Sequence, residues 1–221
     1  MATSPARRLR YHVAVSLDGF IARADGSFDW IVHDEAIDFG AIFRQFDTLV
    51  MGRRTYEVAA AQEGGGVTPG VHSIVFSRTL PPRTAPGLQV TNDDPVDTVR
   101  RLKGEAGKDL WLFGGGELCR TLLAAGLVDT VEVAVMPVLL GAGIPLLPPG
   151  VETRLILSDH RVLPGSGIVA LAYRVAGGAG PAPGVDYVTP PAAPRRPRRP
   201  ASTGRTASPS RGPSRGPRSR R

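Results

Sequence analysis

Short apolar, β-branched segments alternate with helix-like segments between residues 10 and 174 of this 221-residue chain. Segments of that kind favour strands that are buried on both faces of a sheet. Strands that are separated by helices are not joined as hairpins, so most of the sheet must be parallel, with helices on both sides. The last apolar segments have no helix between them, which predicts antiparallel strands at the C-terminal end.

The pattern predicts individual elements. The predicted strands cover residues 11–17, 48–51, 73–76, 88–91, 110–113, 130–135, 154–157 and 168–174. The predicted helices cover residues 34–46, 53–61, 95–105 and 117–125. The third helix has the clearest start, because Asp94 is placed to cap it and Pro95 occupies its first position.

The basic charge of the chain lies at its C-terminal end. Residues 175–221 contain ten arginines and one acid, a net charge of +9 in a chain of +7, so the preceding residues carry −2. This end is rich in Pro, Gly, Ser and Arg and has too little apolar surface to offset the entropy of ordering. We therefore predict a flexible N-terminus over residues 1–8, a folded domain over 9–175 and a disordered basic tail over 176–221. Such a tail could bind nucleic acid weakly and without sequence preference, but a solvated extension without a role is the favoured interpretation.

The cellular setting is constrained by what the sequence lacks. Cys119 is the only cysteine, so an intrachain disulfide is excluded, as suits a reducing compartment. No apolar run approaches the length of a membrane-spanning helix, and the N-terminus has no apolar secretion signal. We expect a cytoplasmic protein without a membrane partner. The four histidines have no metal-ligand spacing, so no metal is expected.

Three predicted strands end in residues suited to an anion. Gly114, Gly115 and Gly116 join a strand to a helix, where glycines let backbone N–H groups approach a phosphate closely. Gly52 does the same before Arg53, Arg54 and Thr55, and arginine is suited to bidentate phosphate contacts. Ser77 and Arg78 follow a third strand. Each motif alone is also consistent with an ordinary turn or helix start, but three at one edge of a sheet favour a dinucleotide, which has several phosphates.

Four motifs resemble a known family over residues 9–174. They are residues 16–22 (SLDGFIA), 51–57 (MGRRTYE), 114–118 (GGGEL) and 137–146 (PVLLGAGIPL). The chain resembles the dihydrofolate-reductase-like family that includes the reductase domain of the bifunctional riboflavin-biosynthesis deaminase-reductase. The resemblance implies a three-layer α/β fold with a mostly parallel central sheet and antiparallel C-terminal strands, an NADPH cofactor and, together with the need to cover an apolar sheet edge, a homodimer.

The resemblance also implies roles for single residues. The pyrophosphate and adenosine side of NADPH would contact Gly52, Arg53, Arg54 and Thr55. The 2′-phosphate would contact Ser77 and Arg78. The pyrophosphate would be wrapped by Gly114, Gly115, Gly116, Glu117 and Leu118. The nicotinamide would be lined by Ala14 and by the 18–22 loop, with Asp18, Gly19 and Ala22.

The substrate side is less sharply defined by sequence. By resemblance, the substrate lies near Trp30 and Phe39, and Glu35, with Asp34 as its alternative, supplies a proton from the first turn of the predicted helix. Acids in a first helical turn are also common as plain surface charges that complement the helix dipole.

The favoured function is reduction of a C=N or C=O bond by NADPH, with a phosphoribosyl-amino-pyrimidine of riboflavin biosynthesis as the substrate. The alternatives are a pterin or dihydrofolate-type reductase, a dinucleotide-binding protein without turnover and, less favoured, a nucleic-acid-binding protein that uses the tail. The deaminase signature of a His-x-Glu and a Pro-Cys-x-x-Cys is absent from the sequence.

Overall fold

The computed structural model describes residues 6–61 and 69–177. The predicted tail from residue 178 onward, and residues 1–5 of the predicted flexible N-terminus, lie outside the described residues. The strands are β1 (Leu9–Ser16), β2 (Phe20–Ala22), β3 (Phe46–Gly52), β4 (His72–Phe76), β5 (Arg83–Ala85), β6 (Leu88–Thr91), β7 (Asp109–Gly114), β8 (Thr130–Met136), β9 (Ile144–Pro145), β10 (Leu155–Leu163) and β11 (Ile168–Val175). The helices are α1 (Phe39–Phe43), α2 (Arg53–Ala60), α3 (Pro95–Lys103) and α4 (Gly116–Ala124).

The described strands form one large sheet in the order β10-β11-β8-β1-β7-β3-β4-β6-β5, and β2 pairs with β9 in a small second sheet. The central strands from β8 to β6 are parallel, whereas β10, β11 and the edge strand β5 are antiparallel. This architecture confirms the predicted mostly parallel sheet with antiparallel C-terminal strands. The antiparallel strand at the opposite edge, β5, was not predicted.

Each face of the sheet packs against its own helices. One hydrophobic cluster joins the sheet to α1, α2 and the segment before α1, and it includes Trp30, Ile42, Tyr56 and Trp111. The other joins the sheet to α3 and α4 through Val99, Leu118 and Leu122, among others. We call these the α1 face and the α4 face. Two covered faces explain why most residues of the central strands are apolar.

The helix predicted over residues 34–46 was wrong in both bounds, because only residues 39–43 are helical. The Asp34 side chain accepts a hydrogen bond from the Ala36 N–H at 2.9 Å, and Asp38 caps α1 by accepting from the Ala41 N–H at 2.8 Å. Short polar side chains that bond to nearby backbone compete with helix formation in this way. Asp34 and Glu35 therefore lie in an irregular segment before α1.

The strand predicted over residues 154–157 was too short. β10 extends to Leu163 and lies at the edge of the sheet, where most of its residues are exposed and its middle, residues 158–161, is polar. Edge strands lack the apolar alternation that marks buried ones, so their length is hard to predict. The two- and three-residue strands β2, β5 and β9 are too short to leave any pattern.

No helix among the described residues has the length and the apolar character needed to cross a membrane.

Candidate functional site

The three anion-suited strand ends lie side by side. β7, β3 and β4 are adjacent and parallel, so Gly114, Gly52 and Phe76 end their strands at the same edge of the sheet. Ser77 and Arg78 follow Phe76 directly. The predicted convergence of these motifs is therefore present in the fold.

Two helices begin at this edge with uncapped N-termini. The N-cap residues of α2 and α4 are Gly52 and Gly115, and neither position has a side chain to accept from the first N–H groups. By contrast, α1 and α3 are capped by the carboxylates of Asp38 and Asp94. The first N–H groups of a helix need a partner and attract negative charge. At the two helices that begin at this edge, a ligand or water can therefore accept hydrogen bonds from the first backbone N–H groups.

The glycine turns touch each other. A Cβ built on Gly115 would lie 3.7 Å from both the Gly52 nitrogen and the Thr55 Oγ1, and one on Gly114 would lie 3.0 Å from the Thr55 Cγ2. Gly115 has φ +97°, a conformation that favours glycine. Gly116 is required for packing, because a Cβ there would lie 2.8 Å from Pro148 Cδ. The turns therefore form one continuous backbone surface.

The cations at this edge differ in how far they are already engaged. Arg53 donates to Glu57, four residues along α2, at 2.8 Å. Arg54 and Arg78 are exposed, and neither side chain has a hydrogen bond or ion pair within the described ranges. The Ser77 hydroxyl is buried and accepts from the backbone N–H groups of Thr79 and Leu80 at 3.2 and 2.8 Å, which leaves its own proton to donate. Arg54 and Arg78 are the cations best placed to take a phosphate.

Glu117 and Leu118 occupy the first turn of α4 in different ways. Glu117 is exposed and pairs with Arg120 at 2.7 Å, while the Leu118 side chain is buried in the cluster on the α4 face. Only the backbone N–H of Leu118 is therefore able to contribute to an anion site.

The sheet opens between β1 and β7. These strands pair only over Leu9–Tyr11, whereas β1 stays paired with β8 as far as Ser16. Beyond Tyr11 the His12 carbonyl accepts from the Trp111 indole N–H at 2.8 Å in place of a strand partner. The helices that follow the two strands pack on opposite faces, the arrangement at which open α/β sheets bind ligands. Ala14 lies on β1 beside this opening and packs against the cluster on the α1 face.

Asp18 fixes the loop that follows β1. Its carboxylate accepts from the Ser16 hydroxyl at 2.6 Å and from the backbone N–H groups of Leu140 and Gly141 at 3.0 and 2.7 Å. The hydroxyl of Ser16 and these N–H groups lower the pKa of Asp18 to about 2. Gly19 has φ +89° in the same turn. The carboxylate thus clamps the 17–19 turn to the 137–143 loop.

The second end of this loop is also closely packed. Ala22 belongs to β2, which pairs with β9, and a Cβ on Gly143 would lie 2.3 Å from the Ala22 carbonyl oxygen. The predicted nicotinamide-lining residues Asp18, Gly19 and Ala22 are therefore held by the 137–146 motif.

Trp30 and Phe39 occupy different environments. Trp30 is 7% exposed and packs on the α1 face, where its indole N–H is buried without a hydrogen-bond partner in the described part of the chain. Phe39 is 48% exposed and stacks on His33 with ring centres 6.3 Å apart. Phe39 lines a shallow groove of about 380 Å³. The other groove residues are Phe28, Asp29, Ile31, Val32 and His33.

The two candidate acids do not have the environment expected of a proton donor. A hydrogen bond from Ser166, with the Ala36 N–H second, lowers the pKa of Asp34, whereas a donor near neutral pH needs a raised pKa. Glu35 is exposed. Asp34 is nonetheless close to the sheet, because Ser166 lies in the turn between β10 and β11.

A buried charged cluster lies on the α1 face. Arg10 donates to both carboxylate oxygens of Glu132, at 2.8 and 2.6 Å, and Thr130 donates to Glu132 at 2.7 Å. Burial raises the pKa of Glu132, but the bonds and charge of Arg10 outweigh this effect and leave the pKa below its usual value. His12 stacks on Trp111 with centroids 5.3 Å apart, and its Nδ1 lies 3.6 Å from a Glu132 oxygen.

Sequence reasoning missed this cluster and the Asp18 clamp. Arg10 and His12 alternate within an otherwise apolar strand, which in a doubly covered sheet is a sign of a buried polar network. Their partner Glu132 is 120 or more residues away in sequence and is brought near only by the pairing of β1 with β8. Cys119 is buried, and burial raises the pKa of its thiol to about 12. Among the described residues no cluster of His, Cys, Asp or Glu could hold a metal ion.

Comparison with solved structures defines the class of fold. A putative riboflavin biosynthesis protein from Shewanella sp. PV-4 matches with a TM-score of 0.65 and 24% identity over 76% of this chain and 98% of its own. Dihydrofolate reductase from Enterococcus faecalis, complexed with NADP(H), matches with a TM-score of 0.56 and 17% identity over 76% of this chain and 96% of its own. The chain has a dihydrofolate-reductase-like α/β fold.

Comparison of sequences defines the family. The family model of the RibD C-terminal domain matches residues 7–169. The uncharacterised protein YyaP of Bacillus subtilis is 35% identical over 151 residues, which cover 63% of this chain and 80% of that protein. The chain belongs to the RibD C-terminal domain family, as the four motifs predicted.

Proposed function

We propose that this chain is an NADPH-dependent reductase that transfers hydride to a C=N or C=O bond of a small heterocyclic substrate. A phosphoribosyl-amino-pyrimidine is the first substrate to test, because the family is that of the RibD reductase domain. A pterin is the second, because dihydrofolate reductase shares the fold.

One observation carries the proposal: the uncapped N-termini of α2 and α4 meet at the edge where β7 and β3 end. Two sets of unpartnered N–H groups, with the exposed guanidiniums of Arg54 and Arg78 nearby, fit a ligand that has several phosphates in a row. A dinucleotide has this chemistry. The NADP(H) complex of the dihydrofolate reductase of the same fold supports the identity of the dinucleotide.

We assign the remaining roles as follows. Gly52, Thr55, Gly114, Gly115, Gly116 and the Leu118 N–H hold the pyrophosphate, with Arg53 and the first turn at Glu117 beside it. Arg54, Ser77 and Arg78 hold the adenosine side and its 2′-phosphate. Ala14, Gly19 and Ala22, fixed by the Asp18 clamp, line the nicotinamide at the opening between β1 and β7. Bound there, NADPH supplies the hydride.

The substrate side of the site is the α1 face in front of that opening. The unpartnered indole N–H of Trp30 is available to an acceptor on the substrate, since a buried donor without a partner costs about 1–3 kcal/mol. Phe39 and the groove beside it offer a flat apolar surface for a ring. Asp34 stays ionised, so its proposed role is to bind a donor group of the substrate; Glu35 is the second candidate for that contact.

The proposal is tested by NADPH oxidation in the presence of phosphoribosyl-amino-pyrimidine, pterin and quinone substrates. Oxidation with at least one heterocycle, with stoichiometric reduced product, is the expected result. NADPH binding without reduction of any of these compounds would leave a dinucleotide-binding protein, and no NADPH binding would overturn the proposal.

A further inference from the structure

The position of His12 connects the buried charged cluster to the opening of the sheet. His12 and Ala14 are two residues apart on β1, so their side chains lie on the same face, separated by about 6.6 Å along the strand. Both are beyond Tyr11, where β1 and β7 no longer pair. If Ala14 lines the nicotinamide, a substrate stacked on that ring lies within reach of the His12 imidazole.

The imidazole has no hydrogen-bond partner on either nitrogen within the described residues. Nδ1 is buried and too far from Glu132 for a hydrogen bond, at 3.6 Å. The side chain retains 11% exposure, and because Nδ1 is buried this exposed area belongs to other atoms of the side chain. A buried polar group without a partner is unusual and points to a ligand or a chemical role.

The surroundings of His12 are arranged for a group that exchanges a proton. The carboxylate of Glu132 faces its Nδ1 edge and favours the imidazolium, and Arg10 beside it favours the neutral ring. Arg10 also reaches Asp109, which is paired with Arg8, so the charges around His12 are otherwise balanced. Burial is the largest influence and lowers the pKa of His12 below its usual value.

The alternative proton donors on this face are less suited. Asp34 is held ionised by Ser166 and Ala36, and Glu35 is exposed. Glu132 is held as a carboxylate by two bonds from Arg10. Unlike these three acids, His12 lies beside the opening, is largely buried and has no side-chain hydrogen bond within the described residues.

From this geometry we propose that His12 is the catalytic acid of the reductase: its imidazolium gives a proton to the nitrogen or oxygen of the substrate double bond while the carbon receives hydride. This inference rests on the proposed function. The substrate gains one hydride and one proton, NADPH leaves as NADP⁺, and the neutral imidazole is reprotonated from solvent. Glu132 is a positioning residue, because its carboxylate lies 3.6 Å from Nδ1 and acts on the imidazolium through its charge without contacting the substrate.

The test is the rate of hydride transfer in a single turnover, measured by NADPH absorbance between about pH 5 and about pH 8. For the unmodified chain, we expect the rate to rise as pH falls, with a midpoint below about 6.5. His12→Gln is expected to slow transfer by about 100-fold, to lose this pH limb and to keep its affinity for NADPH. His160→Gln, in an exposed histidine of β10, is the matched control and should behave as the unmodified chain.

The variants separate chemistry from packing. His12→Phe retains a ring against Trp111 but has no proton to give, so it should be as slow as His12→Gln; near-normal transfer by His12→Phe would reduce His12 to a packing residue and overturn the proposal. The proposal would also be overturned if the rise in rate below pH 6.5 persisted in His12→Gln. It would be overturned as well if the unmodified chain showed no such rise, and this second result does not depend on the folding of a variant. Absence of any NADPH-dependent reduction by the unmodified chain would overturn the proposed function, and this inference with it.

Discussion

Arg53, Arg54 and Arg78 lie at the same edge of the sheet, but their charges are used differently. Arg53 is paired with Glu57, whereas Arg54 and Arg78 have no ion pair among the described residues. An exposed pair contributes little to stability, so this difference matters mainly for binding. Removal of an unpaired guanidinium should therefore weaken the binding of a phosphate more than removal of Arg53.

We predict that Arg78→Ala weakens NADPH binding by about tenfold or more and leaves NADH binding nearly unchanged, since a charge-assisted phosphate contact is lost. Titration of both dinucleotides by protein fluorescence measures this. Arg100→Ala is the control, because Arg100 is also exposed but lies on α3 and pairs with Asp97. Equal weakening of NADPH and NADH, or none, would contradict the assignment of Arg78 to the 2′-phosphate.

Asp18 gives a prediction about pH. Its pKa is lowered to about 2, so the stability that it contributes is present above the usual aspartate pKa of about 3.9 and is lost as pH falls through about 2. Asp18→Asn should therefore lower the melting temperature at neutral pH, and the difference from the unmodified chain should shrink as pH falls from about 4. Melting curves over this range measure it. A difference that stays constant with pH would show that the clamp does not depend on the charge.

At the scale of elements, the glycine turn before α4 is the part of the site most sensitive to substitution. Gly115→Ala places a side chain at φ +97° and should cost about 1–3 kcal/mol while tilting the uncapped N-terminus of α4. Gly126→Ala is a matched control, because Gly126 follows the other end of α4 at φ +67° with nothing within 4 Å of its Cβ. We expect both variants to lose stability but only Gly115→Ala to lose affinity for NADPH. Equal dinucleotide binding by the two, measured by calorimetry, would contradict the assignment.

The edge strand β10 leads to a second prediction at this scale. Its outer edge is not paired with any described strand, and it exposes four apolar side chains: Leu155, Ile156, Leu157 and Val162. Such an edge favours pairing with another chain, and we predict a homodimer that forms through β10. Leu157→Arg should shift the mass in solution to that of a monomer, and Leu139→Arg, at an exposed loop residue, should not. A monomeric unmodified chain at micromolar concentration in sedimentation would contradict this prediction.

Some of these elements could be predicted from the sequence and others could not. The strand-glycine-helix junctions at Gly52 and Gly114 were predicted because apolar strands and glycines are local signals. The start of α1 was not predicted correctly, because Asp34 and Asp38 accept hydrogen bonds from backbone N–H groups and so compete with the helix. The Arg10–Glu132 ion pair was not predicted, because β1 and β8 are far apart in sequence and become neighbours only in the folded sheet. Local pattern thus predicts the glycine turns at the strand ends better than it predicts the segment before α1 or the buried charged cluster.

For the whole molecule, helices cover both faces of the sheet within residues 6–61 and 69–177. We predict that truncation after Gly177 leaves the melting temperature unchanged. A packed tail would change it by about 2–4 °C for each kcal/mol of contact that is lost, which a melting curve resolves. DNA retention at low salt by the full chain, lost on the same truncation, would reveal a second role in the tail.

The central claim is that this chain moves hydride from NADPH to a heterocyclic substrate. It is tested most directly with NADPH that carries deuterium at the transferred position of C4, by mass spectrometry of the product after a single turnover. We predict that the product carries one deuterium, because in the proposed site the substrate would lie against the nicotinamide at the opening between β1 and β7. A reduced product without deuterium, or NADPH oxidised with the label passed to solvent or oxygen, would contradict direct hydride transfer at this site.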